Sequence, residues 1–126
     1  MPGKILIVED SDQNRLLLQD VLAYHGYEVL TAADGAEGVR MAREHRPDLI
    51  LMDIHMPVMN GIEAARILRG DPLTKDIRML ILSSSGLSDE DRYFQDSAFD
   101  GHIGKPVDIG QLPKIIEKYL TDEERP

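Results

Sequence analysis

Residues 49–61 read LILMDIHMPVMNG. Leu49, Ile50, Leu51 and Met52 form an unbroken apolar run that ends in one acid, Asp53, before the chain turns through Met56-Pro57 and Asn60-Gly61. A short apolar run bounded by turn residues reads as a strand covered on both faces. A carboxylate at the tip of such a strand is expensive to desolvate unless something pairs with it. The rest of the chain must therefore supply both the layers that cover this strand and the partners of Asp53.

Outward from it the same alternation repeats. KILIV (4–8) is a short apolar strand. SDQNRLLLQDVLAYHG (11–26) starts with a capping serine and stops at Gly26, with Leu17, Leu18, Val21 and Leu22 at helical spacing. YEVLT (27–31) reads as a strand, and DGAEGVRMAREH (34–45) opens with Asp34 and Glu37, a relative of the capping box. Pro47 bars further helix, so DLILMD (48–53) is the third strand. Asn60 caps GIEAARILRG, which Gly70-Asp71-Pro72 ends. IRMLILS (77–83) is a strand, SDEDRYFQDSAF (88–99) an acidic helix capped by Ser88, GHIG (101–104) a short strand, and DIGQLPKIIEKYL (108–120) the last helix. Pro113 conflicts with a helix capped at Asp108, so a late start nearer Gly110 is expected, with Pro113 in the first turn. Five βα units with right-handed crossovers predict one doubly wound α/β domain over 1–126, with 121–126 a short polar tail. Its five-stranded parallel sheet is expected in the flavodoxin-like order 2-1-3-4-5.

The 126 residues fit one domain, and 42% hydrophobic with 29% charged residues is an ordinary globular balance. The absence of cysteine excludes disulfides and thiolate metal sites. A formal net charge of −9 argues against nucleic acid or an anionic membrane as partner, while leaving a cation site open. The first apolar run ends at Glu9-Asp10, so no signal peptide fits, and no apolar stretch is long enough for a membrane span. The expected location is the cytoplasm.

Parallel strands align their last residues along one edge, where doubly wound domains bind ligands. This chain puts Glu9-Asp10, Asp53, Ser83-Ser84 and Gly104-Lys105-Pro106 there. With the first and third strands adjacent, Asp10 and Asp53 meet beside Glu9. Two carboxylates about 4 Å apart repel by roughly 4 kcal/mol at an effective dielectric near 20. Either one is protonated or a cation sits between them, and hard oxygen ligands select Mg²⁺ or Mn²⁺. A metal, a hydroxyl and an ammonium converging on one acid are the parts needed for phosphoryl transfer to a carboxylate nucleophile.

In those residues, with a hydroxyl 30 positions beyond Asp53 and Lys-Pro 52 beyond it, the chain resembles the receiver domain of two-component response regulators. The resemblance runs from Lys4 to about Leu120 and is to the stand-alone type similar to chemotaxis regulators. It implies that Asp53 is the phosphoacceptor and that Asp10, Asp53 and the backbone carbonyl of His55 ligate Mg²⁺, with Glu9 acting through water. It implies that Lys105 pairs with the phosphoryl group or Asp53, that a cis peptide precedes Pro106, and that Ser83 is the switch hydroxyl. His102 stands where the family usually carries Tyr or Phe; a rotating switch competes there with a partly buried structural histidine. The implied donor is a phosphohistidine on a histidine kinase or phosphotransfer protein. Output is expected either as a phosphorylation-dependent surface change, read by a protein target, or as relay of the phosphate. The docking face would comprise the helix at 88–99, the strand at 101–104 and the last helix. On this reading the domain catalyses only its own phosphorylation and dephosphorylation. A phosphatase of the haloacid dehalogenase type would need a second acid where His55 stands, and covering insertions for which the chain has no room. In a flavodoxin, the acidic turn EDSDQN would repel the FMN phosphate. His25, His45 and His55 are too isolated in sequence for a zinc site, and Met52, Met56 and Met59 are assigned to packing.

Overall fold

The computed structural model describes residues 3–83 and 98–121. Its elements are β1 (Lys4–Val8), α1 (Asp12–Tyr24), β2 (Glu28–Ala32), α2 (Gly35–His45), β3 (Leu49–Asp53), α3 (Gly61–Arg69), β4 (Arg78–Ser83), β5 (Gly101–Gly104) and α4 (Leu112–Thr121). The strands form one sheet in the order β2-β1-β3-β4-β5, and every neighbouring pair is parallel.

The apolar runs explain the layering. Alternate residues of a strand point to opposite faces. Leu6, Val8, Ile50, Met52, Met79 and Ile81 pack on one face with Ala42 of α2 and Ala64, Ala65 and Leu68 of α3. Ile5, Ile7, Leu49, Leu51, Leu80 and Leu82 pack on the other with Leu18 and Leu22 of α1 and Leu112 and Ile116 of α4. Every residue of β3 is buried, because this central strand has helices on both sides. Burying each such Leu or Ile contributes about 1.5–3 kcal/mol. Leu17 is 46% exposed, so the buried stripe of α1 is narrower than its leucine run suggests.

Helix starts follow the capping chemistry. The Ser11 hydroxyl accepts the Asn14 N–H at 3.3 Å, and Asn60 and Glu63 complete a reciprocal capping box. At α2, Asp34 accepts the Glu37 N–H at 2.8 Å, but Glu37 accepts from Ala33, one residue before the cap. Before α4, Asp108 takes the Gly110 N–H on its side chain and the Gln111 and Leu112 N–H groups on its carbonyl. The helix thus starts at Leu112, and Pro113 falls in its first turn. That helix continues through Thr121, one residue into the expected tail, where the Thr121 hydroxyl bonds to Glu117 O.

β2 starts one residue later than expected, because the Tyr27 N–H closes the end of α1 on Leu22 O. Of the helix expected at 88–99, only Ala98 and Phe99 lie within the described residues; Ser84 and Ser88 lie outside them.

Candidate functional site

Register places the site. Val8 pairs with Met52, so the next residues of β1 and β3, Glu9 and Asp53, emerge side by side. Ser83 pairs with Gly104, and the Lys105 N–H donates to Ser83 O at 2.8 Å, so Lys105 leaves the sheet next to β4. Its ammonium reaches back across the edge. Nζ lies 3.0 Å from Asp53 Oδ1 and 3.2 Å from Glu9 Oε2. The peptide between Lys105 and Pro106 is cis.

Glu9 is 1% exposed and Asp53 5%, so both carboxylates sit largely out of water. Carboxylate oxygens of Glu9, Asp10 and Asp53 all come within 4.8 Å of one another, and Asp10 forms the exposed side of the cluster. Glu9 Oε1 accepts the Ser11 N–H at 3.3 Å, and the Glu9 carbonyl accepts from Arg15 Nη1 at 2.8 Å. Glu9 Oε2 is buried without a hydrogen bond; Lys105 is near but off the hydrogen-bonding direction.

Three acids thus face one ammonium. Burial pushes the Glu9 carboxyl above its usual pKa, and the Asp53 charge adds to this, while Lys105 pulls the other way. Burial alone would lower the Lys105 pKa. The closely held Asp53 carboxylate, and after it the charge of Glu9, outweigh this and raise the value. The surplus negative charge and the buried oxygen without a hydrogen bond are what a hard dication would satisfy, so the donor set fits Mg²⁺.

Close backbone packing holds the acid in place. Gly61 starts α3 against the acid-bearing strand: its N–H donates to Ile54 O at 2.8 Å, and a Cβ there would lie 2.1 Å from Asp53 O. Beside the cluster a cleft of about 400 Å³ is lined by Glu9, Asn14, Leu18, Leu82, Lys105 and Val107, among others.

Of the residues singled out in the sequence, Glu9, Asp10, Asp53 and Lys105 converge. Ser83 is buried on the same edge, at the end of β4. The His55 side chain is exposed, two residues past Asp53. His102 is on β5 opposite Ile81 and is exposed, so it does not occupy the partly buried position weighed for it. Ser11, Arg15 and Gly61 also shape the site. Ser11 was legible only as a helix cap, and nothing in the spacing of Arg15 pointed to Glu9.

A family model described as the response regulator receiver domain matches residues 5–117. The polar-differentiation response regulator DivK of Brucella anthropi is 33% identical over 122 residues, covering 97% of this chain and 99% of that protein. Among solved structures, the Vibrio cholerae chemotaxis protein CheY4 superposes with a TM-score of 0.85 at 32% identity, covering 94% of this chain and 99% of that one. The receiver domain of the Pseudomonas aeruginosa sensor histidine kinase PA1611 has a magnesium ion coordinated in its active-site cleft. It superposes with a TM-score of 0.86 at 28% identity, covering 95% of this chain and 98% of that one.

Proposed function

The chain belongs to the response regulator receiver domain family, a family of signalling phosphoacceptors, and from that premise we propose that Asp53 is its phosphorylated residue. Receiver domains take their phosphoryl group from histidine kinases or phosphotransfer proteins. The observation that carries the residue assignment is the Lys105 ammonium held 3.0 Å from Asp53 inside a three-carboxylate cluster.

A carboxylate oxygen of Asp53 attacks the phosphorus of the donor's phosphohistidine. The P–N bond breaks, its electron pair returns to the imidazole, and an aspartyl phosphate forms. Lys105 engages one Asp53 oxygen beforehand and can follow the charge onto the incoming phosphoryl oxygens. Asp10 and Asp53, with the His55 carbonyl, would hold Mg²⁺, or Mn²⁺ in its place, and Glu9 would act through water. The metal supplies positive charge for the phosphoryl oxygens. Glu9 and Asp10 would repel the phosphoryl oxygens, and the cation they would hold would offset that repulsion.

Ser83 closes β4 on the same edge, and we assign it the hydroxyl that turns to the phosphoryl group. His102, exposed on β5, is the residue whose side chain would respond. The output face is assigned to residues 88–99, β5 and α4, where a protein target docks. Residues 1–126 then act as one receiver domain in the cytoplasm. No helix of the described residues is long and apolar enough to cross a membrane.

Incubation with Mg²⁺ and a small phosphodonor tests the reading. The expected result is one phosphoryl group per chain, at Asp53, with no steady turnover of donor. Persistent stoichiometric labelling of Asp53→Asn would overturn the assignment. A beryllofluoride phosphoryl mimic should alter backbone NMR signals over 84–106, and identical spectra would reduce the domain to a phosphate carrier.

A further inference from the structure

The ammonium of Lys105 reaches the acids only if β5 lies correctly along β4, and β5 is poorly equipped to fix its own position. It is four residues long and, among the described residues, lies at the sheet edge and pairs with β4 alone. Two of its residues are glycines, Gly101 and Gly104. Ile103 is buried, and Gly101 fits under the Tyr119 hydroxyl, which together orient the strand.

A polar clamp sits just before the strand. The Asp100 N–H donates to Met79 O at 2.8 Å, and the Asp100 carboxylate accepts the Met79 N–H at 2.9 Å. One residue thus grips both backbone groups of Met79. The same Asp100 Oδ2 is held by Arg69 Nη2 at 3.1 Å. Arg69 also donates from Nε to Ala98 O at 2.8 Å, and from Nη1 to Lys75 O at 2.7 Å and Ile77 O at 2.6 Å. A single, mostly covered guanidinium therefore ties the end of α3, the approach to β4 and the entry to β5.

We propose that Arg69 and Asp100 are positioning residues that set where β5 lies along β4 and so place the Lys105 ammonium on Asp53 and Glu9. The mechanical path is closed. Gly61 fixes the start of α3 to the residue after Asp53, Arg69 ends that helix, and Lys105 returns from the far side of β5 to Asp53. A strand advances ~3.3 Å per residue, so even a partial slip of β5 removes a contact made at 3.0 Å. The activity readout below rests on reading Asp53 as the acceptor.

The test uses Arg69→Lys and Asp100→Asn, each alone and combined with Lys105→Ala, at a temperature where all variants are folded. Lysine keeps the charge but cannot span three carbonyls and a carboxylate together. Asparagine keeps an acceptor for Met79 while removing the charge that faces Arg69, and serves if Arg69→Lys does not fold. Arg69→Lys should slow phosphorylation by about tenfold to a hundredfold, since a misplacement of about 1 Å can cost up to about a hundredfold. Its Lys105 NMR signals should shift. Mg²⁺ affinity, titrated without phosphodonor, should not fall, because the acids stand at the ends of β1 and β3. In the Lys105→Ala background neither substitution should slow the reaction further. Equal slowing in both backgrounds, or unmoved Lys105 signals, would overturn the proposal and leave the clamp a structural brace. If the wild-type protein is never labelled at Asp53, the acceptor reading falls. The Lys105 signals and the Mg²⁺ titration then still decide the positioning claim.

Discussion

The two ends of the sheet handle charge differently. At the amino end, Lys4 donates its backbone N–H to Asp48 at 2.8 Å, and its ammonium lies 3.3 Å from His45 O and 3.9 Å from Glu28. Arg78 donates to Tyr119 O, and Arg69 meets Asp100. At the carboxyl end, Glu9, Asp10 and Asp53 crowd around one lysine, two of them buried, with one buried oxygen lacking a hydrogen bond. At the amino end each of these charged groups has a hydrogen-bond or ion-pair partner within the chain. At the carboxyl end charge is left in surplus, which costs stability unless a cation arrives. The imbalance, rather than the presence of acids, marks the end that could hold a cation.

The largest break of this contrast is all-or-none. Asp53→Asn should abolish labelling by a small phosphodonor, while Asp48→Ala, at the other end, should cost about 1 kcal/mol of stability and leave labelling intact. Labelling by mass spectrometry and melting by circular dichroism read the two effects separately. Loss of labelling in Asp48→Ala would erase the distinction between the ends.

Next comes the metal. A cation that binds only the folded protein stabilises by about 2.7 kcal/mol at a hundredfold excess over its dissociation constant. Saturating Mg²⁺ should therefore raise the melting temperature clearly. Asp10→Asn should blunt that rise and slow labelling, and Asp48→Ala should leave the Mg²⁺ response unchanged. An Asp10→Asn protein that responds to Mg²⁺ like the wild type would remove Asp10 from the site.

Gly61→Ala sharpens the comparison from the backbone side. The added Cβ would meet Asp53 O at 2.1 Å, so the acceptor strand or α3 must move. Overpacking of this kind costs about 1–3 kcal/mol. Labelling should slow as well, because the displaced atoms carry the acceptor. Unchanged melting and labelling would show that the close approach is not needed.

Both helical layers were legible because β3 and its neighbours are apolar on both faces, as a doubly covered parallel sheet requires; the order 2-1-3-4-5 was an expectation of the fold type, which the sheet follows. The convergence of Asp10, Asp53 and Lys105 followed from strand ends once that order was taken. The depth of Glu9 did not, since an acid next to Asp10 gives no sign of which one turns inward; the Ser11 N–H and the register of β1 with β3 decide that. Arg69 and Asp100 went unread for a related reason. Thirty-one positions apart, each resembles an ordinary surface charge until the α3 end and the β5 entry are brought together.

The smallest expected effect is a pH slope, and its sign separates the two ends. Glu9 has a pKa raised chiefly by burial, so in the folded protein its neutral form is favoured relative to the unfolded chain. Its ionisation therefore costs no stability below the unfolded value, and stability is lost as pH rises from there through the raised folded value. Lys105 behaves differently. Its raised pKa contributes stability that is fully present below its unfolded value and disappears only as pH rises through the folded one. As pH rises above the ordinary glutamate range, and well below the lysine range, only Glu9 of this pair changes charge. In metal-free buffer the Glu9 contribution should thus lower stability toward neutral pH, and Glu9→Gln should flatten that part of the curve. The effect is modest, because Lys105 already offsets part of the cost. Saturating Mg²⁺ should flatten the same limb in the wild type, since a cation favours the ionised cluster. Chemical denaturation across that pH range, with chelator and with Mg²⁺, measures all three. If the Glu9→Gln and wild-type curves run parallel in chelator, burial is not straining Glu9, and its carboxylate ionises in the folded protein without cost to stability.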